Sequence, residues 1–170
     1  MKLDYIQALK RVDEACGAWI LHGQEPLLEQ NVLDAFRHHW KQHEIERQRF
    51  DINNVNEWKN VFNALNSLSL FSNQLAIEVH GNIKPDAQAL KQLKSYLQHN
   101  EQNLLLIVLP KQDSSSLKSA LFQTIEANGV VVALTANYPQ DRQRILKIEA
   151  DKLNIQLAPD AWVWLEQHHE

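Results

Sequence analysis

Five short apolar runs alternate with stretches in which apolar residues return every three or four positions. Leu3, Ile6, Leu9 and Val12 keep helical spacing, so residues 2–15 read as a helix. AWILH (18–22) reads as a buried strand and GQEP (23–26) as a turn, with Pro26 suited to the first turn of the next helix. Leu28, Val32, Ala35, Phe36 and Trp40 form that helix's apolar face. RQRFDI (47–52) is a weaker, alternating strand, and VNEWKNVFNALNS (55–67) puts Trp58, Val61, Phe62 and Leu65 on one side of a helix. QLAIEVH (74–80) alternates as a strand. Asp86 is placed to cap a helix over 86–99 with Leu90, Leu93 and Leu97 along its face.

NLLLIVL (103–109) is continuously apolar, as a central parallel strand covered on both sides should be, and Pro110 ends it. Ser114, Ser115 and Ser116 offer N-caps to a helix lined by Leu117, Ala120, Leu121 and Ile125, with Gly129 as its stop. VVVALT (130–135) is the last strand. Past Tyr138–Pro139 the pattern is helical only, over 140–153 and 159–170. The alternation predicts an α/β fold: a five-stranded parallel sheet with helices on both faces over residues 1–138, then the start of a small all-helical domain over 139–170. Trp162, Val163, Trp164 and Leu165 open an amphipathic helix close to Glu170, so a piece of a longer protein is expected.

Composition narrows the function classes. The 170 residues are 44% hydrophobic and 22% charged, an ordinary globular balance. A net charge of −4 and a pI near 6.1 argue against independent DNA binding, which usually rests on a basic surface. Cys16 is the only cysteine, so no intrachain disulfide and no cysteine-based zinc site can form, and a reducing, cytoplasmic compartment fits. The charged N-terminus lacks an apolar signal core, and no apolar run approaches membrane-spanning length.

In such a fold the turn after the first strand often holds a phosphate. Here it reads Gly23-Gln24-Glu25-Pro26. Only Gly23 matches a phosphate loop: no lysine stands near, Glu25 adds negative charge, and Pro26 removes a backbone donor. The same turn serves as a tight structural connection, and no nucleotide or other cofactor is expected there. His38, His39, His43 and Glu46 cluster on one helix and the loop after it. His39 and His43 share a helical face, the spacing of two metal ligands, but the sequence supplies no third, and a solvated polar face is the reading that accounts for them. No metal is expected. Cys16 reads as a small core filler. Asp51, Glu78 and Asp113 fall near predicted strand ends, as in a phosphate-accepting receiver domain, but no paired acidic cluster follows the first strand.

One stretch stands apart from these. In SLSLFSN (67–73), Leu70 and Phe71 are wedged among small polar residues between a helix and a strand. An LF pair so placed is commonly buried in its own core.

LHGQEPLLEQNVLDAFR (21–37), FDINNVNEWKNVFNALNSLSLFSNQLAIEV (50–79) and NLLLIVLPKQDSSSLKSALFQTIEANGVVV (103–132) together resemble the delta subunit of the bacterial DNA polymerase III clamp loader. RILKIEADKLNIQLAPDAWVWL (144–165) is similar to the start of that family's helical lid domain. The resemblance implies an AAA+/RecA-like fold with a degenerate phosphate loop, in a non-catalytic subunit of the DNA-directed DNA polymerase holoenzyme. It also implies a C-terminal collar domain, absent from these residues, that joins the other loader subunits, with DNA met only indirectly and no membrane. In the family an SLF loop enters an apolar pocket on the sliding clamp, the polymerase's beta subunit, and helps open the ring. Carried over, Leu70 and Phe71 are the wedge, Leu68 its apolar neighbour, and Ser69 and Ser72 the small flanking residues. Asn73-Gln74 departs from a frequently basic position. The alternatives are an NTPase with a degenerate phosphate loop and a receiver-like signalling domain.

Overall fold

The computed structural model describes residues 1–23, 25–66, 74–99, 102–135, 146, 147 and 150. Residues 1–134 form one compact unit and 135–170 a second. The helical segments expected beyond residue 139 lie outside the described residues, apart from 146, 147 and 150.

In chain order the first unit comprises β1 (Lys2–Leu3), α1 (Tyr5–Leu9), β2 (Gly17–Gly23), α2 (Pro26–Gln42), β3 (Glu46–Asp51), α3 (Trp58–Leu65), β4 (Leu75–His80), α4 (Ala87–His99), β5 (Leu104–Leu109), α5 (Ser114–Leu117), α6 (Ala120–Asn128) and β6 (Val130–Leu134). The strands make one sheet in the order β1-β6-β2-β5-β4-β3. Every pairing is parallel. β5 is buried at all six positions, consistent with its unbroken apolar run and its place in the middle of the sheet.

Alternate strand residues supply two cores. On one face Ala18, Ile20, Ile77, Val79, Leu105, Ile107 and Val131 pack with α3, α4 and α6. On the other, Trp19 meets Phe36 of α2 edge-on, with ring centroids 5.3 Å apart, and Phe36 in turn meets Trp40 at 5.5 Å. Of the predicted α2 face, Leu28, Val32, Phe36 and Trp40 are buried and Ala35 is half-buried. Asp86 caps α4 as expected, accepting from the Ala89 N–H at 2.9 Å.

The sheet has six strands rather than five. The extra one is β1, at the start of the segment expected to be a single helix. Its Leu3 pairs with Val132, and the Met1 carbonyl accepts from the Val131 N–H at 2.8 Å, covering an edge of β6 that would otherwise be open. Asp4 then starts α1 through a capping box with Gln7. Residues Val12–Glu14 form a 3-10 turn. Leu3 and Ile6 both point inward, so their spacing satisfied a helical pattern without being one. The expected helix after β5 is also divided, because Ser119 is extended between α5 and α6. Asp113, not the serines after it, caps α5, accepting from the Ser116 N–H at 2.7 Å. Cys16 is exposed just ahead of β2 instead of filling the core.

Candidate functional site

A parallel sheet has two chemically distinct edges. The loop 67–73 leaves α3 and enters β4, so it joins the sheet at the amino-terminal edge. The turn 23–26 leaves β2 at the opposite, carboxyl-terminal edge.

Leu68, Ser69, Leu70, Phe71 and Ser72 lie outside the described residues; their anchorage does not. α3 is fastened by Trp58, Val61, Phe62 and Leu65, all buried, and the Trp58 indole N–H donates to the Ile83 carbonyl at 3.1 Å. At the loop's two ends stand Leu65 and Leu75, each 2% exposed. The Leu65 carbonyl belongs to the last turn of a helix, where intrahelical donors run out. It accepts from Asn103 Nδ2 at 3.4 Å, while the Leu75 N–H donates to Asn103 Oδ1 at 3.0 Å. Asn103 is held in turn. Its carbonyl accepts from the Gly17 N–H at 2.9 Å, and the Tyr96 hydroxyl is shared between that carbonyl (2.8 Å) and Gly17's (2.9 Å). Burial pushes the Tyr96 hydroxyl's pKa up, so it serves as a neutral donor. Sequence inspection did not single out Asn103 or Tyr96; a polar residue directly ahead of a central apolar strand was the available signal.

At the other edge Gly23 ends β2 and Pro26 begins α2, leaving two residues between them. Gly23 has φ +151°, and a Cβ there would collide with the Leu134 carbonyl oxygen of β6. Glu25 occupies the N-cap position of α2 without a side-chain cap bond, and Gln24 lies outside the described residues. A connection this short, with proline at its helical end, lacks the run of N–H groups that wraps a phosphate in a longer glycine-rich loop.

Glu78 is fully buried on the α2 face of the sheet. Arg37 reaches it with both Nε and Nη2 at 3.0 Å, Arg47 Nε donates at 2.8 Å, and His80 Nε2 lies at 3.0 Å. Burial pushes the Glu78 carboxyl up, but the hydrogen bonds from His80, Arg37 and Arg47 overcome it and hold the group well below its ordinary value of 4.5. Asp51 is exposed and pairs with Arg49 at 3.1 Å, and Asp113 caps α5. The three acids considered for a receiver therefore serve separate local contacts. His39 and His43 do face each other, with ring centroids 4.4 Å apart, and His39 Nδ1 lies 3.4 Å from Asp13. Burial lowers the His39 pKa, His43 adds to that, and Asp13 opposes it. His38 is exposed. Among the described residues no group of three or more His, Cys, Asp or Glu side chains is arranged to hold a metal ion.

The profile of the DNA polymerase III delta-subunit family matches residues 19–135, more than two thirds of the chain, from within β2 to the end of β6. The chain belongs to that family. The Bacillus subtilis DNA clamp loader delta protein YqeN superposes with a TM-score of 0.69 at 12% identity, over 95% of this chain and 51% of that one. A Thermotoga maritima DNA polymerase III gamma subunit-related protein gives 0.51 at 13% identity, covering 85% and 49%. Thermotoga maritima RuvB gives 0.52 at 14% identity, covering 94% and 52%. At these identities the likeness establishes a shared AAA+-like fold. The chain spans about half the length of these solved relatives. No curated protein sequence matches it. Among the described residues no helix is long and apolar enough to cross a membrane.

Proposed function

We propose that this chain is the clamp-binding part of a clamp-loader delta subunit: it docks on the sliding clamp through Leu70 and Phe71, with Leu68 beside them and Ser69 and Ser72 leaving the pair room to enter a pocket. The observation that carries this is the family match over residues 19–135, which spans the SLF loop in its place between α3 and β4. Two features of the fold support it. The helix end and the strand start on either side of the loop, at Leu65 and Leu75, are buried and hydrogen-bonded, which lowers the ordering cost of docking. The turn after β2 is short and proline-terminated, in keeping with a subunit that hydrolyses no ATP.

Leu and Phe side chains each contribute roughly 1.5–3 kcal/mol when fully desolvated. Together that is about two to four orders of magnitude in affinity, enough for a small hot spot. Ring opening then follows by linkage: a wedge that fits a clamp with a distorted interface better than a closed one shifts the ring toward open, by no more than that difference in affinity. The expected partners of the whole protein are the sliding clamp and the other loader subunits, with residues from 139 onward beginning a helical lid domain.

The test is a pull-down on the cognate clamp with wild type and Leu70→Ala/Phe71→Ala. Wild type is retained; the double variant loses roughly 100-fold or more in affinity with an unchanged circular dichroism spectrum. Equal retention of the two removes the site assignment.

A further inference from the structure

We infer that Asn103 is the positioning residue of the docking loop, an inference that rests on the function proposed above. Its carboxamide touches main-chain groups on both sides of the loop, accepting from the Leu75 N–H at 3.0 Å and donating to the Leu65 carbonyl at 3.4 Å. Both groups sit on nearly inaccessible residues where water is a poor substitute, so leaving either unpaired is costly. A carboxamide carries an acceptor and a donor on one carbon and so serves both at once; a carboxylate keeps the acceptor and loses the donor. Asn103 is itself immobilised by the Gly17 N–H and the Tyr96 hydroxyl, on β2 and α4. Through Asn103 the end of α3 and the start of β4 are therefore tied to β2 and α4.

Freeing the ends enlarges the set of conformations from which Leu70 and Phe71 must be drawn on binding. That lowers affinity without removing any atom of the wedge. Asn103→Ala is expected to weaken clamp binding about 3–10-fold, the equivalent of ordering one or two further side chains.

The experiment measures two quantities on wild type, Asn103→Ala, Asn103→Asp and Val132→Ala, a core variant on β6 chosen as a control for general destabilisation. The first is the rate of chymotrypsin cleavage after Leu70 and Phe71; the second is affinity for immobilised clamp. Asn103→Ala is cut several-fold faster than wild type and binds more weakly. Asn103→Asp, which keeps the Leu75 bond and loses the Leu65 one, falls between them and serves alone if Asn103→Ala does not fold. Val132→Ala tracks wild type in both. Cleavage of the Asn103 variants at the wild-type rate overturns the assignment, as does unchanged affinity where wild type binds. Failure of wild type to bind the clamp overturns the functional reading instead, and the cleavage rates still decide the role of Asn103.

Discussion

Replacing Glu78 by Gln tests how the α2 face of the sheet is held. The substitution keeps shape and one acceptor oxygen but removes the charge that organises Arg37, Arg47 and His80. Four hydrogen bonds converge on this carboxylate, and the amide nitrogen of Gln meets arginine donors where an oxygen stood. Removing one partner of a buried ion cluster costs roughly 3–5 kcal/mol. Arg37 and Arg47 are 29% and 38% exposed and regain some water, which places the loss near the lower end, about 3 kcal/mol. For a chain of this size that is a fall in Tm of roughly 6–12 °C. The acid dependence has a definite sign. The folded carboxyl titrates below its unfolded value of 4.5, so the unfolded chain binds the proton first and the stabilisation, complete above that pH, is lost as pH falls. Wild type and Glu78→Gln should thus differ most near neutrality and begin to converge as pH falls below about 4.5, progressively toward the lower folded value. Thermal unfolding followed by tryptophan fluorescence from pH 7 to pH 3 reads both. A difference that stays constant across that range, or is missing at pH 7, refutes the account.

Two further outcomes concern the carboxyl-terminal edge. Gly23→Ala places a Cβ against the Leu134 carbonyl at a φ that L-residues avoid, and should cost on the order of 1–3 kcal/mol from backbone strain before the collision is added; unchanged denaturant stability would show that the turn is not packed as described. Titration with a fluorescent ATP analogue should give no saturable, magnesium-dependent binding, and saturation would restore the NTPase alternative.

What could be read from the chain follows from the range over which each force acts. Helical and strand periods are local, and the faces of α2 and α3 and the burial of β5 came through because one apolar stripe meets one core, whereas on α4 only Leu93 of the expected Leu90, Leu93 and Leu97 is buried, beside Ala89 and Tyr96. β1 did not, because two residues carry no period and their pairing is with a strand more than a hundred positions away. Cys16 was misplaced for a similar reason: a small residue beside a strand looks like core until the strand's true start, at Gly17, is known. The chemistry of Gly23, Glu25 and Pro26 was legible residue by residue. Leu70 and Phe71 were singled out by their setting, and the role proposed for them came only from the family resemblance. The polar contacts around the flanks of loop 67–73 join residues 28, 38 and 79 positions apart, and no short window of sequence contains such a pair. Burial nevertheless constrains them. A carboxylate inside LAIEVH must find cations or stay neutral, and an asparagine directly before LLLIVL sits where a helix end and a strand start both need partners. Each is a polar residue at a position the pattern marks as dry, so the demand for a partner is visible locally even though the partner, Arg37 for Glu78 or Leu65 for Asn103, is supplied only by the fold.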